Sequence, residues 1–180
     1  MLPDRLVAGT VLLRAFVPAD APRVKLLAGE RVVAETTAFI PHPYPAGAAT
    51  AWIATHGAAR AAGTEYTYAI AEIDGPLVGA IGLRPERIEH ENIGYWIGRP
   101  YWGRGYATAA VRALIALGFG LLDLEALTAS HLARNPASER VMEKCGMLLL
   151  RAERRDHRGT PEDFCVRGIT REAWEKTLAG

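Results

Sequence analysis

The sequence predicts an α/β fold, a mixed and mostly antiparallel sheet of about six to seven strands flanked by about four helices. Three observations carry this expectation. Two alternating stretches, Tyr66 to Ile73 and Leu77 to Leu83, flank Asp74-Gly75-Pro76, as the arms of a β-hairpin flank its turn. An apolar, aromatic run from Ile93 to Ile97 is broken at Arg99-Pro100 and followed by Gly103-Arg104-Gly105. From Tyr106 the pattern becomes helical, with Val111, Leu114, Ile115, Gly118 and Leu122 on one face. Elsewhere short apolar runs alternate with helical patterns, and no repeat, low-complexity tract or linker interrupts them, so residues 1–180 are expected to form a single domain.

Taken in order, residues 9 to 16 read as a first strand. Asp20 can cap a helix from about Pro22 to Gly29, with Val24, Leu26 and Leu27 apolar. Val32 to Thr37 reads as irregular or a short helix. In Phe39-Ile-Pro-His-Pro-Tyr-Pro45 three prolines exclude a helix and predict an exposed or cleft-lining loop. Thr50 to Ala62, alanine-rich and ended by Gly63, reads as a second helix. After the hairpin comes a longer strand, Arg87 to Ile97, polar at its start and apolar at its end. The helix after the glycine turn is followed by a strand from Leu124 to Ser130. Asn135 caps a helix with Pro136 in its first position and Gly146 past its end. Met147 to Ala152 and Phe164 to Ile169 form a last pair of strands across a polar connection.

Composition narrows the function. A formal net charge of +1 offers no electrostatic case for nucleic acid or an anionic membrane as an obligate partner. Cys145 and Cys165 make no disulfide framework and suit a reducing, cytoplasmic setting. The N-terminus lacks the apolar core of a signal peptide, and the longest apolar run, Ala113 to Leu122, is too short to span a bilayer. The histidines and cysteines show no metal-binding spacing, so no metal is expected.

A glycine turn feeding a helix leaves unpaired N–H groups at the positive end of the helix dipole, a ready site for phosphate. A dinucleotide fingerprint would need glycine where Thr108 stands, and a P-loop would end in Gly-Lys-Ser/Thr, which is not present. A plain strand-to-helix turn is the alternative on the glycines alone.

The neighbouring residues separate these readings. Tyr95-Trp96-Ile97, followed by Pro100-Tyr-Trp-Gly-Arg-Gly-Tyr-Ala-Thr108, closely resembles the acetyl-CoA pyrophosphate loop of the GNAT N-acetyltransferases, and Trp102 before Gly103 resembles the RimJ/RimL branch. Further resemblances to that branch are Leu13-Arg14 with Asp20, His42-Pro43-Tyr44 with Trp52-Ile53, Asn135-x-x-Ser138 with Val141-Met-Glu-Lys-Cys-Gly146, and the late Trp174. Together they extend over nearly the whole chain.

The resemblance implies the GNAT fold and transfer of an acetyl group from acetyl-CoA to a primary amine without a metal. The acceptor it favours is a protein N-terminal α-amine; the alternatives are a small amine (polyamine, aminoglycoside or other antibiotic) or a non-catalytic acyl-CoA sensor. Trp102, Gly103, Arg104, Gly105, Tyr106, Ala107 and Thr108 would hold the pyrophosphate, with Arg104 either on a phosphate or solvated. The backbone amide of Ile97 would receive the oxyanion. Asn135 would bond the pantetheine arm and Ser138 would sit by the sulfur, although both also suit a helix cap. The family's usual glutamate falls on Asn92, which cannot act as a base, so His90 and Glu91 are the nearby alternatives, with Glu89 farther off. Cys145 reads as a buried structural thiol rather than a nucleophile. Acceptor walls are expected from Phe39 and Tyr44, from Trp52, and from the connection Glu153 to Phe164, where Asp156, Glu162 and Asp163 are candidates for holding a cation. The state of assembly is expected to be monomer or homodimer.

Overall fold

The computed structural model describes residues 2–85 and 91–178. Its elements in chain order are β1 (Arg5–Ala8), β2 (Val11–Arg14), α1 (Ala21–Ala28), α2 (Arg31–Ala34), α3 (Ala48–Ala61), β3 (Tyr66–Glu72), β4 (Leu77–Leu83), β5 (Ile93–Ile97), α4 (Tyr106–Leu121), β6 (Ala126–Leu132), α5 (Pro136–Lys144), β7 (Leu148–His157), β8 (Thr160–Thr170) and α6 (Arg171–Leu178). The strands form a five-stranded sheet in the order β1-β2-β3-β4-β5 and a three-stranded sheet in the order β6-β8-β7. Every pairing between described strands is antiparallel. Between β5 and β6 the two sheets meet without a ladder, and that fork is where the site forms.

The hairpin β3–β4, the helix after the glycine turn and the Asn135-capped helix stand where the sequence places them. Four elements differ. The expected first strand is half of a hairpin: Gly9 turns at φ 57°, and the short β1 pairs with β2. The strand expected from Arg87 begins only at Ile93, and residues 86–90, including His90, lie outside the described residues. The expected polar connection Glu153 to Phe164 is instead the continuous hairpin β7–β8, turned at Arg158-Gly159 with φ 59° and 81°. Its tip carries charges on both faces because both lie near solvent, so the alternation that marks a half-buried strand is missing. Finally, α6 is an element absent from the expected order; Thr170 Oγ1 accepts from Ala173 N at 3.2 Å at its start.

Two apolar layers sandwich the large sheet. On one face Leu13, Tyr68, Ile70 and Ile81 pack with Val111, Leu114, Ile115 and Phe119 of α4 and with Met142 of α5, all buried. Truncating an aromatic such as Phe119 in that layer costs about 3–5 kcal/mol. On the other face Val24 and Leu27 of α1 and Ile53 of α3 cover Ala69 and Leu77. Asp20 precedes α1 without capping it by its side chain. Its carboxylate instead accepts from Arg14 Nη1 and Nη2 at 2.8 and 2.7 Å and from Val17 N at 2.9 Å, which fastens β2 to the start of α1. Among the described residues no helix is long and apolar enough to cross a membrane.

Candidate functional site

The register of β5 decides what the fork offers. Arg84 N donates to Asn92 O at 2.9 Å and Gly98 N to Val78 O at 2.8 Å, while Gly82 faces Gly94 and Ala80 faces Trp96. In an antiparallel ladder successive residues turn their main-chain groups to opposite sides. Asn92, Gly94, Trp96 and Gly98 therefore address β4, and Ile93, Tyr95 and Ile97 address the fork. At its end Trp102 Nε1 donates to Ile97 O at 2.7 Å, so the carbonyl is occupied and the N–H of Ile97 stays directed into the gap. A cleft of about 1050 Å³ runs along this edge from the glycine turn to the tip of the β7–β8 hairpin.

One end of the cleft is the start of α4. Gly105 is its N-cap at φ 80° with no side-chain cap, so the first amides of the helix, on Tyr106, Ala107 and Thr108, have no intrahelical partner. Gly103 also has positive φ, 77°, and a Cβ placed on either glycine would meet nothing within 4 Å. The turn is thus a bare arc of donors at a positive helix end, the chemistry that a pyrophosphate requires. Trp102, Gly103, Gly105, Tyr106, Ala107 and Thr108 line the cleft. Arg104 does not; its Nη1 lies 3.5 Å from Glu72 Oε1 and its guanidinium sits over the Tyr101 ring. Tyr106 donates its hydroxyl to the same carboxylate oxygen at 2.6 Å. Glu72 thereby draws both side chains outward and leaves the inner face to the backbone. Arg140 and Lys144, one turn apart on α5, add positive charge to the lining. Neither is among the residues that the sequence singles out, although an i, i+4 pair of cations beside Val141 and Met142 is a visible signal.

Midway along, Asn135 and Ser138 stand at the start of α5. Asn135 Oδ1 accepts from Ser138 N at 3.2 Å, so the cap is real, and the Nδ2 amide of Asn135 is left to donate elsewhere. Ser138 Oγ lies 2.7 Å from the hydroxyl of Tyr95. Cys145 is buried with its Sγ 3.6 Å from Thr108 O, and burial pushes its thiol up to about 11, the condition of an inert thiol.

At the far end Phe39, Tyr44 and Trp52 form one wall and Asp156 belongs to another, beside Arg155, His157, Arg158 and Phe164. The hairpin tip is tied to the loop that roofs this end: His157 Nε2 donates to Glu35 O at 2.9 Å, and Arg158 donates to Ala34 O at 2.8 Å, to Thr37 O at 3.1 Å and to Ile40 O. Glu162 accepts from Arg134 at 2.9 Å. Neither Glu162 nor Asp163 lines the cleft. Glu65 of the floor pairs with Arg84 at 3.1 Å.

The tertiary structure places both Asn92, at the family's usual glutamate position, and Glu91, a candidate proton acceptor. Asn92 is buried away from the cleft lining, and its Oδ1 accepts from Thr128 N at 2.7 Å, so it stitches β5 to β6 across the base of the fork. Glu91 does line the cleft, in a two-pronged ion pair with Arg155, which also holds Glu153. Burial pushes the Glu91 carboxyl up, but the Arg155 guanidinium outweighs it and leaves the group below the usual carboxylate range. A carboxylate held so low keeps its charge and is a weak proton acceptor. No pattern in the sequence joins residue 91 to residue 155, so this pair is invisible there.

Comparison with known proteins bears on the family and the fold. The profile of the family described as "Acetyltransferase (GNAT) domain" matches residues 10–148, more than half of the chain. YkkB of Bacillus subtilis is 40% identical over 76 residues, 41% of this chain and 44% of that protein. YdaF of Bacillus subtilis, whose name marks it as a candidate ribosomal N-acetyltransferase, is 36% identical over 77 residues, 42% of each chain. The matches thus span less than half the length of either curated relative. Among solved structures, a GNAT-family acetyltransferase from Bacillus anthracis superimposes with a TM-score of 0.81 at 23% identity, over 93% of this chain and 99% of that one. Spermidine N-acetyltransferase from Vibrio cholerae, solved with CoA and spermine, does so with a TM-score of 0.76 at 16% identity, over 92% and 98%. At these identities the two structures speak for the fold.

Proposed function

The chain belongs to the GNAT acetyltransferase family, and on that premise we propose that it moves an acetyl group from acetyl-CoA directly to a primary amine, with a protein N-terminal α-amine as the favoured acceptor. The observation that carries the reading is the free main-chain edge of β5, Ile93 to Ile97, running straight into the uncapped amides of Gly105 to Thr108. That edge suits an extended chain of amides, and the turn suits the phosphates at its end.

Bound acetyl-CoA supplies a thioester that a neutral amine can attack. The amides of Gly103 to Thr108 hold the pyrophosphate, and the free Nδ2 of Asn135 donates to the pantetheine arm. The Ile97 N–H donates to the oxygen that gains charge as the amine adds; one such donor is worth about 3–4 kcal/mol of barrier. Ser138 Oγ–H donates a hydrogen bond to the departing sulfur. It does not surrender its proton, because a hydroxyl holds a proton far more tightly than a thiol of pKa about 8.5. The surplus amine proton passes to water at the acceptor end, since Glu91, neutralised by its pair with Arg155, is a weak acceptor for it. Phe39, Tyr44 and Trp52 pack the acceptor, and Asp156 contacts a cationic group on it.

YdaF's name supports a protein acceptor. The spermidine enzyme, together with Asp156, an acceptor-end carboxylate in no ion pair among the described residues, favours a small polyamine as the second reading. The missing glutamate at Asn92 favours a third, an acyl-CoA sensor. Thiol release from acetyl-CoA with free-N-terminus peptides, spermidine and an aminoglycoside tests all three. Turnover with peptides supports the proposal, turnover with spermidine alone replaces the acceptor, and tight CoA binding without turnover establishes the sensor.

A further inference from the structure

Tyr95 has no role in the reading above, yet its side chain meets the residue on which departure of the sulfur depends. The hydroxyl lies 2.7 Å from Ser138 Oγ and 3.3 Å from Ser138 O, and both residues line the cleft. A tyrosine has one proton to donate. The normal O–H···O separation is about 2.7–2.8 Å, so the carbonyl is the poor partner and the Oγ the good one. If Tyr95 donates to Ser138 Oγ, the proton of Ser138 is free to turn into the cleft. With the opposite polarity Ser138 would commit its proton to Tyr95 and present only lone pairs to a sulfur that is gaining negative charge. In that second case the Tyr95 proton falls back on the longer contact to Ser138 O, so only the first arrangement turns a donor toward the sulfur as the carbon–sulfur bond breaks, and the two hydrogen bonds then polarise one another.

We propose that Tyr95 is a positioning residue, whose hydroxyl fixes the Ser138 rotor so that Ser138 hydrogen-bonds the leaving sulfur. This rests on the acetyl-transfer reading. Three features support it independently. The Ser138 backbone is already fixed by the Asn135 cap, so the side-chain torsion is the freedom that remains to be settled. Tyr95 packs into the main core, which limits its own motion. Burial raises its hydroxyl far above the ordinary range, so it stays a donor at any working pH. In the step itself the nitrogen–carbon bond forms, the carbon–sulfur bond breaks with its electron pair going to sulfur, and the surplus ammonium proton goes to water. Tyr95 and Ser138 keep their protons throughout.

The test is a double-mutant cycle of Tyr95→Phe, Ser138→Ala and both together. It is read as kcat and KM with acetyl-CoA and either a hexapeptide with a free N-terminus or spermidine, alongside the dissociation constant for CoA and the melting temperature. Loss of one neutral hydrogen bond corresponds to about three- to tenfold. Each single variant should lower kcat by about that factor with CoA affinity unchanged, and the double variant should fall no further than Ser138→Ala. Coupling of this kind would not arise from a loss of packing. If Ser138→Ala slows turnover while Tyr95→Phe does not, or if the two losses multiply, or if Tyr95→Phe weakens CoA binding as much as it lowers kcat, the inference fails alone. If Ser138→Ala turns over normally, the role of Ser138 fails with it, and a wild-type protein inert toward every amine removes the acetyl-transfer reading itself.

Discussion

Gly105 and Gly47 permit a controlled test of the pyrophosphate cradle. Both are N-caps of long helices in nearly the same left-handed conformation, φ 80° and ψ 0° at Gly105 and φ 77° and ψ −14° at Gly47. A Cβ on either meets nothing within 4 Å. Alanine at each site therefore costs the same backbone strain, about 1 kcal/mol, with no clash added. For a chain of this size that is roughly 2–4 °C of melting temperature. The two sites differ only in what approaches them: Gly105 lines the cleft and Gly47 does not. At Gly105 the added methyl stands in the arc of amides and displaces the phosphate from at least one charge-assisted hydrogen bond, worth about 1.5–3 kcal/mol. That corresponds to roughly a ten- to hundredfold weaker dissociation constant. Calorimetric titration with CoA, beside thermal melts of both variants, should show equal destabilisation and a loss of affinity in Gly105→Ala alone. A Gly105→Ala protein that binds CoA within threefold of wild type, or a Gly47→Ala protein equally impaired, would refute the cradle.

Asn92→Ala should behave as a stability variant. It strands the half-buried Thr128 N–H at a cost of about 1–2 kcal/mol, seen as a fall of roughly 2–8 °C in the melting temperature, while turnover per folded molecule changes far less. Glu91→Gln should change acid stability. The folded carboxyl titrates below its unfolded value, so its contribution is full above the unfolded pKa of about 4.3 and is lost as pH falls through the folded value. Chemical denaturation should therefore show the variant weaker than wild type at pH 7 and equal to it well below pH 4; an equal deficit at both would refute the ion-pair account. In a Cys165→Ser background, Cys145 should resist a thiol reagent at pH 8 until denaturant is added, because its thiol, pushed up to about 11, is protonated there. By the same linkage the stability contributed by that raised pKa is present below the unfolded pKa and declines as pH rises from about 8.5 toward the folded value.

The glycine turn at the proposed cofactor end is legible in the sequence because its features are local. Two glycines, the strand before them and the helix after them occupy consecutive residues, and the left-handed turn that glycine alone adopts easily is written in the residue types. The Asn135 cap is legible for the same reason. The charged hairpin β7–β8 passes for a polar connection because it is solvated on both faces, which erases the period on which strand recognition depends. Residue type leaves Arg104 open between a phosphate and solvent, and the contact with Glu72, distant in sequence, is visible only in the fold.

The order of most elements and the position of the glycine turn follow from short-range periodicity and turn chemistry, and the family from the motifs around that turn. Tertiary packing sets the direction of each group at the proposed reacting centre. The register of β4 against β5 aims the Ile97 N–H into the fork, Thr128 claims Asn92, Arg155 claims Glu91, and Ser138 meets Tyr95. Each is a contact between residues far apart in the chain, and such contacts depend on how two sheets and a helix pack rather than on the spacing of residues along any one of them.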